Sequence, residues 1–153
     1  MTNSIHVTLF QPDIAGNTGT ILRTAACLGF HVHIIEPAGF DASDRNLKRA
    51  GMDYTELATL NRHRDWSNFL NWSRNNNKRL ILLTTKSVED YSTFKYSGDD
   101  VLIFGRESAG APEYVHDAAH QRLTIPMQEG ARSLNLAVSV GIVAAHAASH
   151  LGG

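Results

Sequence analysis

Short apolar runs recur along the chain and alternate with segments whose apolar residues have helical spacing. Residues 80–83 (LILL) and 101–104 (VLIF) contain no polar residue, which is typical of strands buried on both faces of a sheet. Between residues 18 and 28 the apolar positions instead have the spacing of an amphipathic helix. The pattern predicts strands over 5–10, 32–35, 80–83, 101–104 and 123–125, and helices over 18–28, 44–50, 65–74, 112–120 and 133–150.

Strands that alternate with helices predict an α/β fold with a mostly parallel sheet flanked by helices. The chain has 153 residues, a usual length for one domain. No repeat, low-complexity tract or long linker divides it. We therefore expect residues 1–153 to form a single domain.

The predicted C-terminal helix is apolar on nearly every side. Within residues 134–148 the clearly polar residues are Asn135, Ser139 and His146. A helix that is apolar all round must be buried all round, and the sheet of one subunit covers only one of its faces. This predicts a homodimer with the helix in the interface; the alternative is a helix packed entirely inside the monomer.

The composition excludes several classes of protein. A net charge of −1 and an isoelectric point near 6.7 argue against coating nucleic acid through bulk positive charge, although residues 1–79 are slightly basic and residues 80–153 acidic. The single cysteine, Cys27, rules out an internal disulfide framework and a Cys-rich zinc site. The N-terminus does not resemble a signal peptide, and no apolar stretch is long enough for a membrane span. We expect a cytoplasmic protein without membrane contact.

Three glycine-containing loops each follow a predicted strand and precede a predicted helix. They read PDIAGNTGTILR, GRESAGAP and PMQEGARSLN. In parallel α/β sheets, ligands bind beyond the carboxyl ends of the strands, and a loop that enters a helix can present backbone N–H groups to them. The three loops together predict one ligand site.

Common catalytic motifs are missing from these loops. They contain neither GxGxxG nor a P-loop, and Ser108 in RESAG does not fit the GxSxG nucleophile elbow. The pairs His116/His120 and His146/His150 have the spacing of two metal ligands on a helix, but no third ligand is evident. We therefore predict no metal site.

Individual polar residues of the loops also have ordinary structural interpretations. Arg23 could be a solvated helix residue, and Glu107 a surface charge. Asn17 and Ser133 both suit the N-cap of a helix. Residue type alone does not distinguish these roles from functional ones.

Taken in order, the loops resemble the three motifs of the SPOUT RNA methyltransferases. NTGTILR is similar to the first motif, LIFGRESAG to the second and LTIPMQEGARSLN to the third. HIIEPAGF, RAGMDY and LLTTK are similar to the small tRNA 2′-O-methyltransferases that modify the wobble nucleotide. One departure is Arg106, where a number of these proteins have proline.

This resemblance implies a deep trefoil knot in the C-terminal third, a homodimer and S-adenosylmethionine as cofactor. It implies methylation of the ribose 2′-OH of a wobble cytidine or uridine in tRNA. The implied cofactor pocket consists of Leu83, Gly105, Ile125, Met127, Ser133 and Leu134. The implied catalytic residues are Arg23, Asn17, Glu107, Ser133 and Asn135.

Within this family the arginine that matches Arg23 is assigned to activating the 2′-OH. Arginine is a poor base because its pKa is so high that it stays protonated. We therefore expect Arg23 to act as a cation that stabilises alkoxide charge and binds a phosphate. The basic cluster of Arg45, Lys48 and Arg49 is the candidate tRNA contact. The alternatives are methylation of another tRNA or rRNA site, a non-catalytic RNA-binding dimer of the same fold, and a doubly wound nucleotide-binding enzyme.

Overall fold

The computed structural model describes residues 5–131 and 133–151, which form one six-stranded sheet between two layers of helices. The strand order is β3-β2-β1-β5-β4-β6, and every pair of neighbouring strands is parallel. This confirms the predicted α/β class. The strands are β1 (His6–Phe10), β2 (His31–Ile35), β3 (Leu60–His63), β4 (Arg79–Leu83), β5 (Asp100–Phe104) and β6 (Gln121–Leu123).

The helices cover both faces of the sheet because its apolar side chains alternate between them. Leu9 and Leu102 belong to the core shared with α1 and α6, whereas Leu82 and Ile103 belong to the core shared with α4 and α5. None of the helices within the described ranges is long and apolar enough to cross a membrane. The helices are α1 (Ala15–Leu28), α2 (Asp44–Arg49), α3 (Tyr54–Leu57), α4 (Trp66–Asn75), α5 (Glu113–Ala118) and α6 (Leu136–Ser149).

The sequence pattern missed β3 and α3 and misplaced β6. β3 and β6 are the two edge strands of the sheet, so each pairs on one side only and carries polar, exposed residues. The strand predicted over 123–125 shares only Leu123 with β6, because Gln121 and Arg122 pair with β4 in spite of their polarity. α3 has four residues, too few for helical periodicity to be visible.

The N-cap role, which is the structural alternative for Asn17 and Ser133, is observed for neither residue. α1 begins at Ala15, so Asn17 lies inside its first turn. α6 begins at Leu136, and its cap is Asn135, whose side chain accepts from the N–H groups of Ala137 and Val138; Ser133 lies before the helix. The start of α1 is set by a contact with a distant loop, whereas that of α6 is set by the local cap of Asn135.

A row of hydrogen-bonded histidines crosses one edge of the sheet. His6 Nδ1 lies 2.9 Å from His33 Nε2, and His33 Nδ1 lies 2.8 Å from His63 Nε2, so the row joins β1, β2 and β3 under Trp72 of α4. Burial is the main cause that lowers the pKa of His33 to about 2 and that of His6 to about 4, with a smaller effect of neighbouring histidines and Lys78. The row is therefore neutral in the folded protein at neutral pH.

Acid should destabilise the protein through this row. The unfolded chain binds protons near pH 6.5, whereas buried His33, which is 1% exposed, does not, so stability is complete above that pH and falls as the pH drops. The slope due to His33 approaches about 1.4 kcal/mol per pH unit below pH 6, where the unfolded chain is protonated at this residue. Urea unfolding between pH 6 and pH 5 should show a slope that is flatter by about this amount in His33→Gln. The exposed neighbour His31→Gln is the control; equal slopes in the two variants would contradict the assignment.

Candidate functional site

A cleft of about 510 Å³ lies at the carboxyl ends of β4, β5 and β6. The three glycine-containing loops all reach it, which is the position expected for ligands in a parallel sheet. Among its lining residues are all six that the resemblance implies for a cofactor: Leu83, Gly105, Ile125, Met127, Ser133 and Leu134. Asn17, Glu107 and Asn135 line it as well.

The carboxylate of Glu107 joins the second loop to the start of α1. It accepts hydrogen bonds from the backbone N–H groups of Asp13 (2.7 Å) and Ile14 (3.2 Å) and from the side-chain amide of Asn17 (3.2 Å). No side chain at the N-cap position, Ile14, performs this task. A carboxylate at a helix N-terminus satisfies unpaired N–H groups and opposes the positive end of the helix dipole. Glu107 is therefore the cap of α1, supplied from 90 residues further along the chain.

Asn17 and Asn135 extend this contact to the third loop. The side-chain amide of Asn135 donates to Asn17 Oδ1 over 3.0 Å. The oxygen of the same Asn135 side chain accepts from the N–H groups of Ala137 (2.8 Å) and Val138 (3.2 Å) at the start of α6. A continuous chain of hydrogen bonds thus runs from Glu107 to α6 and fixes the three loops around one cleft.

These contacts change what the loops offer to a ligand. We expected the helix starts to present free N–H groups, but those of Ala137 and Val138 in α6 are bonded to Asn135, and those of Asp13 and Ile14, just before α1, are bonded to Glu107. A carboxylate beside a helix start weakens the attraction of that start for a phosphate. The remaining lining is mixed, with apolar Leu83 and Ile125 beside hydroxyl groups such as Thr84. The cleft fits a ligand with apolar and polar parts better than a bare anion.

Arg106, the residue that departs from the family pattern, forms a second link between the first two loops. Its Nε donates to Asp13 Oδ1 over 3.0 Å and its Nη2 to the same oxygen. The other oxygen of Asp13 accepts from the backbone N–H (3.0 Å) and hydroxyl (2.6 Å) of Ser108. Arg106, followed by Ser108, lowers the pKa of Asp13 to about 2. The sequence analysis missed this ion pair, although opposite charges in two loops that were expected to meet were the available signal.

Gly105 is required by the tight path of the second loop. Arg106 and Gly110 exchange backbone hydrogen bonds of 3.1 and 2.9 Å, which folds the loop back on itself. A Cβ atom on Gly105 would lie 2.3 Å from the backbone nitrogen of Ala111. Only glycine fits here without displacing the backbone.

Arg23 does not line the cleft. It lies on the exposed side of α1, and its Nε donates to Glu56 Oε2 of α3 over 2.7 Å. The side chain of Arg23 is 64% exposed, whereas that of Glu56 is 5% exposed. Arg45, Lys48 and Arg49 are exposed on α2 and do not line the cleft either. The structure thus brings most of the predicted site together and leaves these four cations outside it.

His116 lies at the wall of the cleft, which the sequence analysis did not predict. Its Nε2 lies 2.9 Å from the Thr84 hydroxyl, and its Nδ1 lies 3.2 Å from the Pro112 carbonyl. His120 instead accepts from the backbone N–H of Leu80 over 2.8 Å, so the two histidines serve different partners. In the part of the chain that the structure describes, no group of three His, Cys, Asp or Glu side chains is placed to bind a metal ion.

The parallel sheet and the cleft at the carboxyl ends of its strands define an α/β ligand-binding fold, and comparison with known proteins identifies it as that of an RNA methyltransferase. The chain belongs to the SpoU rRNA Methylase family, whose profile matches residues 4–145.

Three similar proteins illustrate the relationship. A tRNA (cytidine(34)-2'-O)-methyltransferase of Beijerinckia indica subsp. indica is 48% identical over 144 residues, which are 94% of this chain and 90% of that protein. A solved structure described as giving structural insights into the 2-OH methylation of C/U34 on tRNA is 38% identical, with a TM-score of 0.88, and covers 100% of this chain and 94% of its own. The structure of an AdoMet-bound rRNA methyltransferase from Sinorhizobium meliloti is 29% identical, with a TM-score of 0.86. The match covers 99% of this chain and 58% of that protein's chain.

A methyl group at Gly105 should disturb the cleft, and one at Gly16 should not. Gly105→Ala places Cβ against the backbone, so we expect a loss of more than about 2 kcal/mol in the free energy of unfolding. Gly16 lies in the first turn of α1 with no atom within 4 Å of its Cβ position, so Gly16→Ala should stabilise the protein by about 0.5–1 kcal/mol. Chemical denaturation measures both values. Tolerance of alanine at Gly105 would contradict the packing described here.

Proposed function

We propose that this protein transfers a methyl group from S-adenosylmethionine to the ribose 2′-OH of cytidine or uridine at the wobble position of tRNA. The observation that carries the proposal is the cleft at which Asn17, Glu107 and Asn135 join three family motifs. The similarity to tRNA (cytidine(34)-2'-O)-methyltransferases over nearly the whole chain supports the choice of substrate.

The cleft has the chemistry that S-adenosylmethionine requires. Leu83, Ile125, Met127 and Leu134 offer apolar surface for the base and the methionine chain, while Gly105 and Ser133 offer backbone or hydroxyl groups. The cofactor is a sulfonium cation, and the capped helix starts do not oppose its positive charge. When bound, it supplies a methyl group that is activated for transfer to oxygen.

In the reaction, the 2′-hydroxyl gives its proton to a phosphate oxygen or to water, its oxygen bonds to the methyl carbon and the sulfur–carbon bond breaks. Arg23 stabilises the developing negative charge on the ribose oxygen and grips the neighbouring phosphate. It is not a base, because the hydrogen bond and charge of Glu56 raise the pKa of Arg23 further above its usual value. Four further residues orient the ribose, the cofactor or each other: Asn17, Glu107, Ser133 and Asn135.

The proposal includes a homodimer that uses α6. This helix buries Val140, Val143 and Ala147 against its own subunit, while Val138 and Ile142 remain 50% and 36% exposed. Such apolar residues on a helix beside α1 favour a second copy as their cover. A dimer on this face would present the Arg23 of either subunit to the ribose. Sedimentation velocity tests this; a monomer at micromolar concentration would contradict it.

The tRNA contact is proposed to include Arg45, Lys48 and Arg49 of α2. All three side chains are exposed. The hydrogen bonds of Ser43 are the main cause that lowers the pKa of nearby Asp41, and the charges of Arg49 and Arg45 add a smaller effect. Replacement of all three by glutamine should weaken tRNA binding and flatten its salt dependence. An unchanged slope of affinity against salt would exclude this patch.

The remaining expectations form part of the same proposal: one domain over residues 1–153, a cytoplasmic location and the trefoil knot. The knot among these rests on the resemblance of the three motifs. Thr124 donates to the Glu89 carbonyl and accepts from the Tyr91 N–H, both in the β4–β5 connection, before α6 returns to pack on α1.

Methyl transfer from labelled S-adenosylmethionine to bulk tRNA, with the product mapped by mass spectrometry, tests the activity. We expect label on the 2′-oxygen of nucleotide 34. Arg23→Ala should lose transfer and keep cofactor binding, because Arg23 does not line the cleft. Arg23→Lys should keep part of the activity if a point charge suffices, and little if bidentate contacts are needed.

Three results would be decisive against the proposal. Normal turnover by Arg23→Ala would remove its assigned role. Label at another nucleotide, or in ribosomal RNA as the family description and the Sinorhizobium meliloti relative allow, would change the substrate. Cofactor binding without transfer to any RNA would favour a non-catalytic RNA-binding dimer.

A further inference from the structure

The cation assigned to the reaction is held by a carboxylate that lies almost entirely inside the protein. Glu56 is 4% exposed as a residue, and its Oε2 accepts from Arg23 Nε over 2.7 Å. A buried carboxylate needs a partner of this kind, since burial without one is strongly unfavourable. The exposed side chain of Arg23 is thus held at one atom, Nε, by a buried carboxylate.

The short helix α3 fixes Glu56 in turn. Glu56 Oε1 accepts from the backbone N–H of Asp53 over 2.9 Å, and Asp53 Oδ1 accepts from the N–H of Glu56 over 2.9 Å. These reciprocal bonds form a capping box. Thr59 donates from its hydroxyl to the Glu56 carbonyl over 2.8 Å at the other end of α3. Both oxygens of the Glu56 carboxylate and its backbone therefore have fixed partners.

From this geometry we infer that Glu56 is a positioning residue, which holds the guanidinium of Arg23 by Nε so that its two Nη groups face the RNA. The inference rests on the proposed function. Among the described residues, Arg23 makes no hydrogen bond through Nη1 or Nη2. When a guanidinium is held at Nε, its two Nη groups can still donate to two neighbouring oxygens, one of a phosphate and one of a ribose. Glu56 also keeps Arg23 charged, which suits a group that stabilises an alkoxide.

Turnover should depend on residue 56 and not on the stability of α3. We expect kcat to be highest in the wild-type protein, lower in Glu56→Gln and lowest in Glu56→Ala. The reason is that the glutamine oxygen can still accept a hydrogen bond from Arg23 Nε, whereas alanine cannot. The loss in Glu56→Ala should reach at least about tenfold, since small displacements of a catalytic group have effects of this size. The KM for tRNA should change less than kcat, and cofactor affinity should stay the same.

Thr59→Ala is the matched control. It removes the hydrogen bond to the Glu56 carbonyl at the end of α3 and leaves both oxygens of the Glu56 carboxylate with their partners. We expect it to lower the melting temperature but to retain kcat within about twofold. A kcat that follows the melting temperature across all three variants would show that Glu56 is merely structural and overturn the inference.

The same series separates this inference from the proposed function. Wild-type turnover in Glu56→Ala, together with inactive Arg23→Ala, would remove the role of Glu56 and leave the methyltransferase assignment standing. Absence of methyl transfer in the wild-type protein would instead remove the proposed function itself. A graded loss of kcat in the Glu56 variants, with kcat retained in Thr59→Ala, is the result that supports both.

Discussion

The candidate site depends on one interaction, the capping of α1 by the Glu107 carboxylate. Two backbone N–H groups and the Asn17 side chain donate to this carboxylate, which lies 90 or more residues further along the chain. Because Asn17 in turn accepts from Asn135, the cap of α1 and the cap of α6 form one hydrogen-bonded unit. The two helices that pack on each other in the core are therefore also aligned at their N-termini, where the cleft opens.

This arrangement explains why the loops lack the common nucleotide-binding motifs. P-loops and dinucleotide-binding loops leave helix N–H groups free for phosphate oxygens. Here side chains bond the N–H groups of Ala137 and Val138 in α6 and those of Asp13 and Ile14 just before α1, and Arg106 is paired with Asp13 in the same region. The cations proposed to contact RNA lie outside the cleft on α1 and α2, whereas Lys86 lines it. The proposed function thus assigns the cofactor and the nucleic acid to different surfaces of a chain whose net charge is −1.

Sequence patterning predicted the fold class and most elements because buried strands such as 80–83 and amphipathic helices such as α1 have clear periodicity. It also identified the three loops, and the family resemblance supplied the residues that line the cleft. It missed the edge strand β3 and the four-residue α3, where burial does not set the pattern. The pairs Glu107–Asn17, Arg106–Asp13 and Arg23–Glu56 could not be read locally, since each joins residues that are 33 or more positions apart.

Hydrogen exchange in Glu107→Gln tests the central interaction most directly. Glutamine keeps one acceptor and places an NH₂ group against the N–H donors, so protection at Asp13 and Ile14 should fall by about tenfold or more. If the caps form one unit, protection at Ala137 and Val138 should fall with it, while α4 and the control Glu113→Gln, an exposed residue of α5, stay unchanged. Loss of protection confined to the start of α1, or no loss at all, would contradict the account.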